Sequence, residues 1–128
     1  MMPTSFKSSY ALLMVDSPLR SAAFYRDLLG LEPIEAQTTF ALFALETGLM
    51  FGLWSKHTAE PAPGAPAGGV EIGFKVADAA AVDTVYDKWI ETRDVRVAQK
   101  PVDLDFGRTF VALDPDGHRL RVFSTPEA

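Results

Sequence analysis

The chain has 128 residues, with 12 Lys plus Arg against 17 Asp plus Glu, a formal net charge of −5, and no cysteine. That length suits one compact domain or two small modules sharing a core, and a hydrophobic fraction of 48% excludes a disordered chain. Zero Cys excludes a disulfide framework, thiolate metal sites and Cys nucleophiles, while the acidic balance argues against a sequence-independent grip on nucleic acid.

The first residues, Met1-Met2-Pro3-Thr4-Ser5-Phe6-Lys7, lack the charged start and apolar core of a signal peptide. No apolar run reaches the ~20 residues of a membrane span, so a cytoplasmic protein is the expectation. Tyr10 to Val15 reads as a strand, ending at Asp16-Ser17-Pro18. Ser17 suits a helix N-cap and Pro18 the first helical position. Leu19, Ala22, Ala23, Phe24 and Leu28 recur at helical spacing until Gly30 stops the helix. Thr38 to Leu45 reads as a strand, Glu46-Thr47-Gly48 as a turn, and Leu49 to Ser55 as a further strand.

Glu60 to Gly69 is too rich in Pro and Gly for regular structure and reads as a linker. Val70 to Val76 is then a strand, Asp78 a helix cap, and Val82, Val85, Tyr86 and Trp89 a helical stripe. Beyond Pro101 the pattern predicts a loop, a strand over Arg108 to Leu113, a structural turn at Asp114-Pro115-Asp116-Gly117, and a strand over His118 to Phe123. The order of elements therefore occurs twice. The helix caps Ser17 and Asp78 are 61 residues apart (78 − 17), and the late-turn glycines Gly48 and Gly117 are 69 apart (117 − 48). Such a repeat predicts a module over 1–59, a linker over 60–69 and a second module over 70–128.

Strand parity sorts the side chains by face. Ala11, Leu13, Val15, Phe51, Leu53, Ile72, Phe74, Leu120 and Val122 form an apolar set suited to a helix-covered face. The opposite set mixes Tyr10, Trp54, Phe123, Glu71, Lys75, Arg119 and Arg121 with Gly52 and Gly73. Aromatic walls, few charges and space-making glycines are the composition of a small-molecule cavity. The alternative is a half-solvated sheet face whose aromatics pack on one another.

Ser17-Pro18-x-x-Ser21-x-x-Phe24-Tyr25-x-x-x-Leu29-Gly30 and Asp114-Pro115-Asp116-Gly117-His118 resemble the vicinal-oxygen-chelate superfamily of glyoxalases, extradiol dioxygenases and bleomycin-binding proteins. The resemblance covers nearly the whole chain. It implies an α+β fold of two βαβββ modules, a curled mixed-sheet cup with helices on its convex face, and commonly a homodimer. Leu53-Trp54-Ser55, Phe106-Gly107-Arg108-Thr109-Phe110 and the closing turn through Arg121-Val122 look most like the phenazine-antibiotic-resistance proteins.

Metal enzymes of the superfamily place one ligand, usually His or Glu, on each of four strands. Seven residues before each helix cap stand Tyr10 and Glu71; four beyond each late-turn glycine stand Gly52 and Arg121. Tyr is a poor ligand, Gly offers no side chain and Arg is a fixed cation, so only Glu71 could coordinate, and no metal or cofactor is expected. If the four positions converge, Glu71 and Arg121 should meet there as an ion pair. His57 and His118 share no metal spacing, and no motif assembles a nucleophilic triad.

The expected ligand contacts are Trp54, Tyr10, Gly52, Glu71, Arg121, Phe123, Phe106 and Arg108. Trp54 offers a stacking surface, Phe106-Gly107-Arg108 a loop ahead of a strand, and Arg108 either a carboxylate anchor or a solvated turn residue. Trp89 reads as packing. The expected function is metal-independent sequestration of a planar aromatic compound, phenazine-like or bleomycin-like, with no nucleic-acid or membrane partner. The alternatives are a metal-dependent glyoxalase-like lyase or dioxygenase, and an interaction module whose interior is filled by its own side chains.

Overall fold

A computed structural model describes residues 5–126. The chain divides into two compact units, 1–64 and 65–128. The first carries β1 (Tyr10–Val15), α1 (Pro18–Leu29), β2 (Glu35–Ala36), β3 (Phe40–Ala44) and β4 (Met50–Ser55). The second carries β5 (Glu71–Lys75), α2 (Ala79–Trp89), β6 (Arg96–Leu104), β7 (Gly107–Leu113) and β8 (Arg119–Phe123). Each is a βαβββ module with a four-stranded mixed sheet, ordered β1-β4-β3-β2 and β5-β8-β7-β6. The expected α+β class and its two similar modules are therefore observed.

The repeat extends to strand register. Tyr10 pairs with Met50 across parallel β1 and β4, and Glu71 with Arg119 across parallel β5 and β8. The offsets are 71 − 10 = 61 and 119 − 50 = 69, the same two intervals that separate the helix caps and the turn glycines. Phe40 opposite Trp54 becomes Thr109 opposite Phe123 under the same shift. The eight extra residues of the second module fall between α2 and β7, where β6 runs nine residues.

Local chemistry sets the helix ends as the sequence implies. The Ser17 side chain accepts from the Arg20 N–H, Pro18 opens α1, and Gly30 closes it at φ 68, donating its N–H to the Arg26 carbonyl. The Asp78 side chain accepts from the Ala81 N–H at the start of α2. The buried face of α1 differs from the predicted stripe: Leu19 is exposed and Ala23 faces solvent, whereas Ser21 and Tyr25 are buried beside Ala22, Phe24 and Leu28. Tyr25 wins the interior because its ring packs edge-on to Phe24 and Phe51 at 5.1 and 4.7 Å between centroids.

A second correction concerns β6, where the sequence predicts only a loop beyond Pro101. Pro101 lies within a strand, but at the sheet edge and inside the register shift between Gln99 and Val102. An edge bulge is where a strand tolerates a residue with no N–H to give. The predicted turn at Asp114 is present and tightly made. The Gly117 N–H donates to the Asp114 carbonyl, and the fully buried Asp114 carboxylate accepts from the N–H groups of Asp116 and His118.

Candidate functional site

In each module one sheet face is covered by its helix. Ala11, Leu13, Val15, Ala41, Phe43, Phe51 and Leu53 lie on the face that meets Tyr25 of α1. Ile72, Phe74, Phe110, Ala112, Leu120 and Val122 lie on the face that meets α2, where Trp89 packs on Phe74 and Phe110. Trp89 is thus a core residue, as its place in the stripe implies.

The opposite faces hold the candidate site residues. In the first module, register sets Leu12 beside Gly52 and Leu42, and Met14 beside Trp54 and Phe40. Tyr10 stands next to Met50 at one end of this face and is half-exposed. A Cβ on Gly52 would meet Leu12 Cδ2 at 2.6 Å and Phe40 Cζ at 3.1 Å, so the glycine lets two neighbouring side chains close over the strand. Trp54, Tyr10 and Gly52 therefore share one largely apolar sheet surface, with Glu35 of β2 at its edge opposite Leu42.

The corresponding face of the second module is charged. Arg121 donates through Nε to Glu71 Oε1 at 2.8 Å and through Nη2 to Glu71 Oε2 at 3.0 Å. Its Nη1 donates to the buried Thr109 hydroxyl at 3.0 Å, and that hydroxyl donates to the Val122 carbonyl at 2.8 Å. Arg119 adds Nε and Nη2 hydrogen bonds to Glu71 Oε2 at 2.9 and 2.5 Å. These bonds, from Arg121 first and then Arg119, hold the Glu71 carboxyl below its usual range against a partial burial that pushes it up. The Arg121 guanidinium also lies 6.0 Å from the centroid of Phe106, whose ring meets Phe123 edge-on at 6.2 Å.

Of the expected contacts in this module, Glu71, Arg121, Phe106 and Phe123 come together. Arg108 does not join them. Its parity turns it to the helix side, where Nε donates to both carboxylate oxygens of Asp83 on α2 at 3.0 and 3.1 Å and Nη1 donates to Asp103 at 3.0 Å. Arg119 is the residue whose importance the sequence reading missed. It shares parity with Arg121, and its register position opposite Glu71 was the available signal.

In neither unit does the donor set suit a divalent cation. Tyr10 and Gly52 offer a phenol and no side chain, Arg121 is a cation, and both oxygens of Glu71 are taken by guanidinium groups. Among the described residues no group of three or more His, Asp or Glu side chains is placed to hold a metal ion. The Asp16–His57 contact at 2.7 Å is a solvent-exposed pair, and the Ser55 hydroxyl accepts from the His57 backbone rather than its ring.

Residues 7–122 match the family profile of the Glyoxalase/Bleomycin resistance protein/Dioxygenase superfamily. The chain belongs to this superfamily. Among its relatives is the phenazine antibiotic resistance protein EhpR of Enterobacter agglomerans, 32% identical over 113 residues, which span 87% of this chain and 86% of that protein. The solution NMR structure of protein ATC0852 from Agrobacterium tumefaciens is 41% identical, with a TM-score of 0.84 over 96% of this chain and all of the other. The lactoylglutathione lyase of Agrobacterium tumefaciens matches at 22% identity and a TM-score of 0.73 over 96% of each chain, a likeness of fold. The superfamily thus joins drug-resistance proteins and enzymes on one scaffold, and the side chains on the open faces have to decide between them. No described helix is long and apolar enough to cross a membrane.

Proposed function

We propose that the protein is a metal-independent binding protein that sequesters a planar aromatic compound of the phenazine kind, acting in the cytoplasm as a homodimer. The observation that carries this reading is the engagement of Glu71, the one anionic side chain among the four strand positions, by Arg119 and Arg121. A carboxylate held by two permanent cations is a poor metal ligand, and its release would leave two guanidinium groups unpaired.

The remaining surfaces fit a flat guest. Trp54 and Tyr10 provide aromatic area in the first module, and Phe106 and Phe123 do so in the second. Stacking on such rings contributes about 0.5–1.5 kcal/mol beyond area burial. The EhpR relationship supports antibiotic resistance as the physiological setting. Sequestration is stoichiometric, so affinity and copy number set its effect rather than turnover.

Tryptophan fluorescence tests the reading. Trp89 is buried between Phe74 and Phe110, so a ligand-dependent change in emission reports on Trp54. Titration with phenazines is expected to quench saturably at micromolar ligand in the wild type and much less in Trp54→Phe. Identical quenching in the two proteins, or none in either, contradicts the proposal.

A further inference from the structure

We infer that the ligand carries a carboxylate or equivalent planar anion and that Arg119 is the residue that selects for it. The inference rests on the binding reading above and assigns the ligand's charge. The cluster on the open face of the second module contains two guanidinium groups and one carboxylate, so it keeps a net charge of +1 after internal pairing. Lys75, in register with Phe123 on the same face, adds to the positive field and has no acid opposite it on β8.

The two arginines are not equivalent. Arg121 is 19% exposed, and its Nε, Nη1 and Nη2 are all engaged, by Glu71 and Thr109. It is a fixed structural cation. Arg119 is 39% exposed, and both its hydrogen bonds leave from the Nε–Nη2 edge toward Glu71. Its Nη1 amino group has no hydrogen-bond partner among the described residues. Glu71 thus orients the Arg119 plane while leaving one nitrogen directed elsewhere, an arrangement that preorganises a donor instead of consuming it.

Along β8 the open-face positions are Arg119, Arg121 and Phe123, with neighbouring Cα atoms about 7 Å apart by strand geometry. The aromatic pair Phe106–Phe123 therefore lies at one end of the row and the donor at the other, and Arg121 bridges them. An aromatic frame on the phenylalanine end would direct a ring substituent toward the arginine end. Because the local charge is positive, an anionic substituent is favoured and a cationic one is repelled. A neutral amide of the same shape can accept from the guanidinium but gains no ion-pair attraction.

A matched series separates this inference from the binding reading: phenazine-1-carboxylate, its primary carboxamide and unsubstituted phenazine, titrated by calorimetry at pH 7 into the full chain. The carboxylate is expected to bind about tenfold or more tighter than the carboxamide, the order of the gain when the acceptor of the bond is ionised as well. In Arg119→Gln that preference should collapse toward unity, and Arg119→Lys should recover part of it. Equal wild-type affinities for carboxylate and carboxamide would overturn the anion selectivity and leave aromatic binding standing. A preference that survives Arg119→Gln would overturn the role of Arg119. Binding of none of the three would overturn both readings.

Discussion

Replacing Glu71 by Gln removes the one negative charge from between two guanidinium groups and keeps the shape of the side chain. Nitrogens of Arg119 and Arg121 contact the same Glu71 oxygen at 2.9 and 3.0 Å, so two like charges stand close together once the carboxylate is gone. At a separation of about 6 Å their repulsion ranges from roughly 0.7 kcal/mol in water to about 3 kcal/mol at the effective dielectric of a protein surface. The side chains are partly solvated, which places the loss between that of an exposed pair and the several kcal/mol of a broken buried one: about 1–3 kcal/mol. Urea denaturation at pH 7 should therefore show the midpoint lowered by roughly 1 M with an unchanged slope.

The pH dependence gives the sharper test. Glu71 is held below its ordinary value of 4.5 in the folded state, so its contribution is complete above that value and is lost as pH falls through the lower folded pKa. The stability gap between wild type and Glu71→Gln should be constant from pH 7 to about pH 5 and close on further acidification. A gap near zero at pH 7, or one that persists unchanged at pH 3, would show that the Glu71 carboxylate does not hold the two guanidinium groups together.

Three further outcomes follow from particular contacts. Gly107→Ala should destabilise by at least about 3 kcal/mol in denaturant melts, because a Cβ there would lie 2.0 Å from the Ser124 carbonyl oxygen at a φ of 143. Asp114→Ala should cost about 2–3 kcal/mol by the same assay, since it strips two turn N–H groups of their acceptor in a buried position. Arg108→Ala should leave ligand affinity within error by calorimetry, since its guanidinium is committed to Asp83 and Asp103 on the helix side; a tenfold loss would return it to the site.

The fold was legible where local chemistry is strong. Ser17, Pro18, Gly30 and Asp78 fix helix ends through backbone groups, and the two offsets seen in the sequence reappear as strand register. Parity alone separated the helix-covered faces from the open ones because every strand but β6 is regular. The failures arise where tertiary contacts outweigh pattern. The aromatic cluster around Tyr25 turned α1 away from its predicted stripe, and Pro101 concealed an edge strand that tolerates it only at a bulge. Within the site, the Glu71–Arg121 pair could be anticipated from position counting. The third member, Arg119, required the register of β5 against β8, because a short apolar strand does not announce which of its arginines faces a carboxylate.

The same backbone positions carry opposite chemistry in the two modules. Tyr10, Met50, Gly52 and Trp54 correspond to Glu71, Arg119, Arg121 and Phe123. One sheet thus offers apolar area and the other charge.

Under the proposed function, binding depends on these side chains and not on a metal. Its most direct test is calorimetric titration of chelator-dialysed protein with phenazine-1-carboxylate, repeated after adding zinc, nickel or manganese. Saturable binding with the same affinity is expected in every case. Binding that appears only when a divalent ion is restored would contradict it.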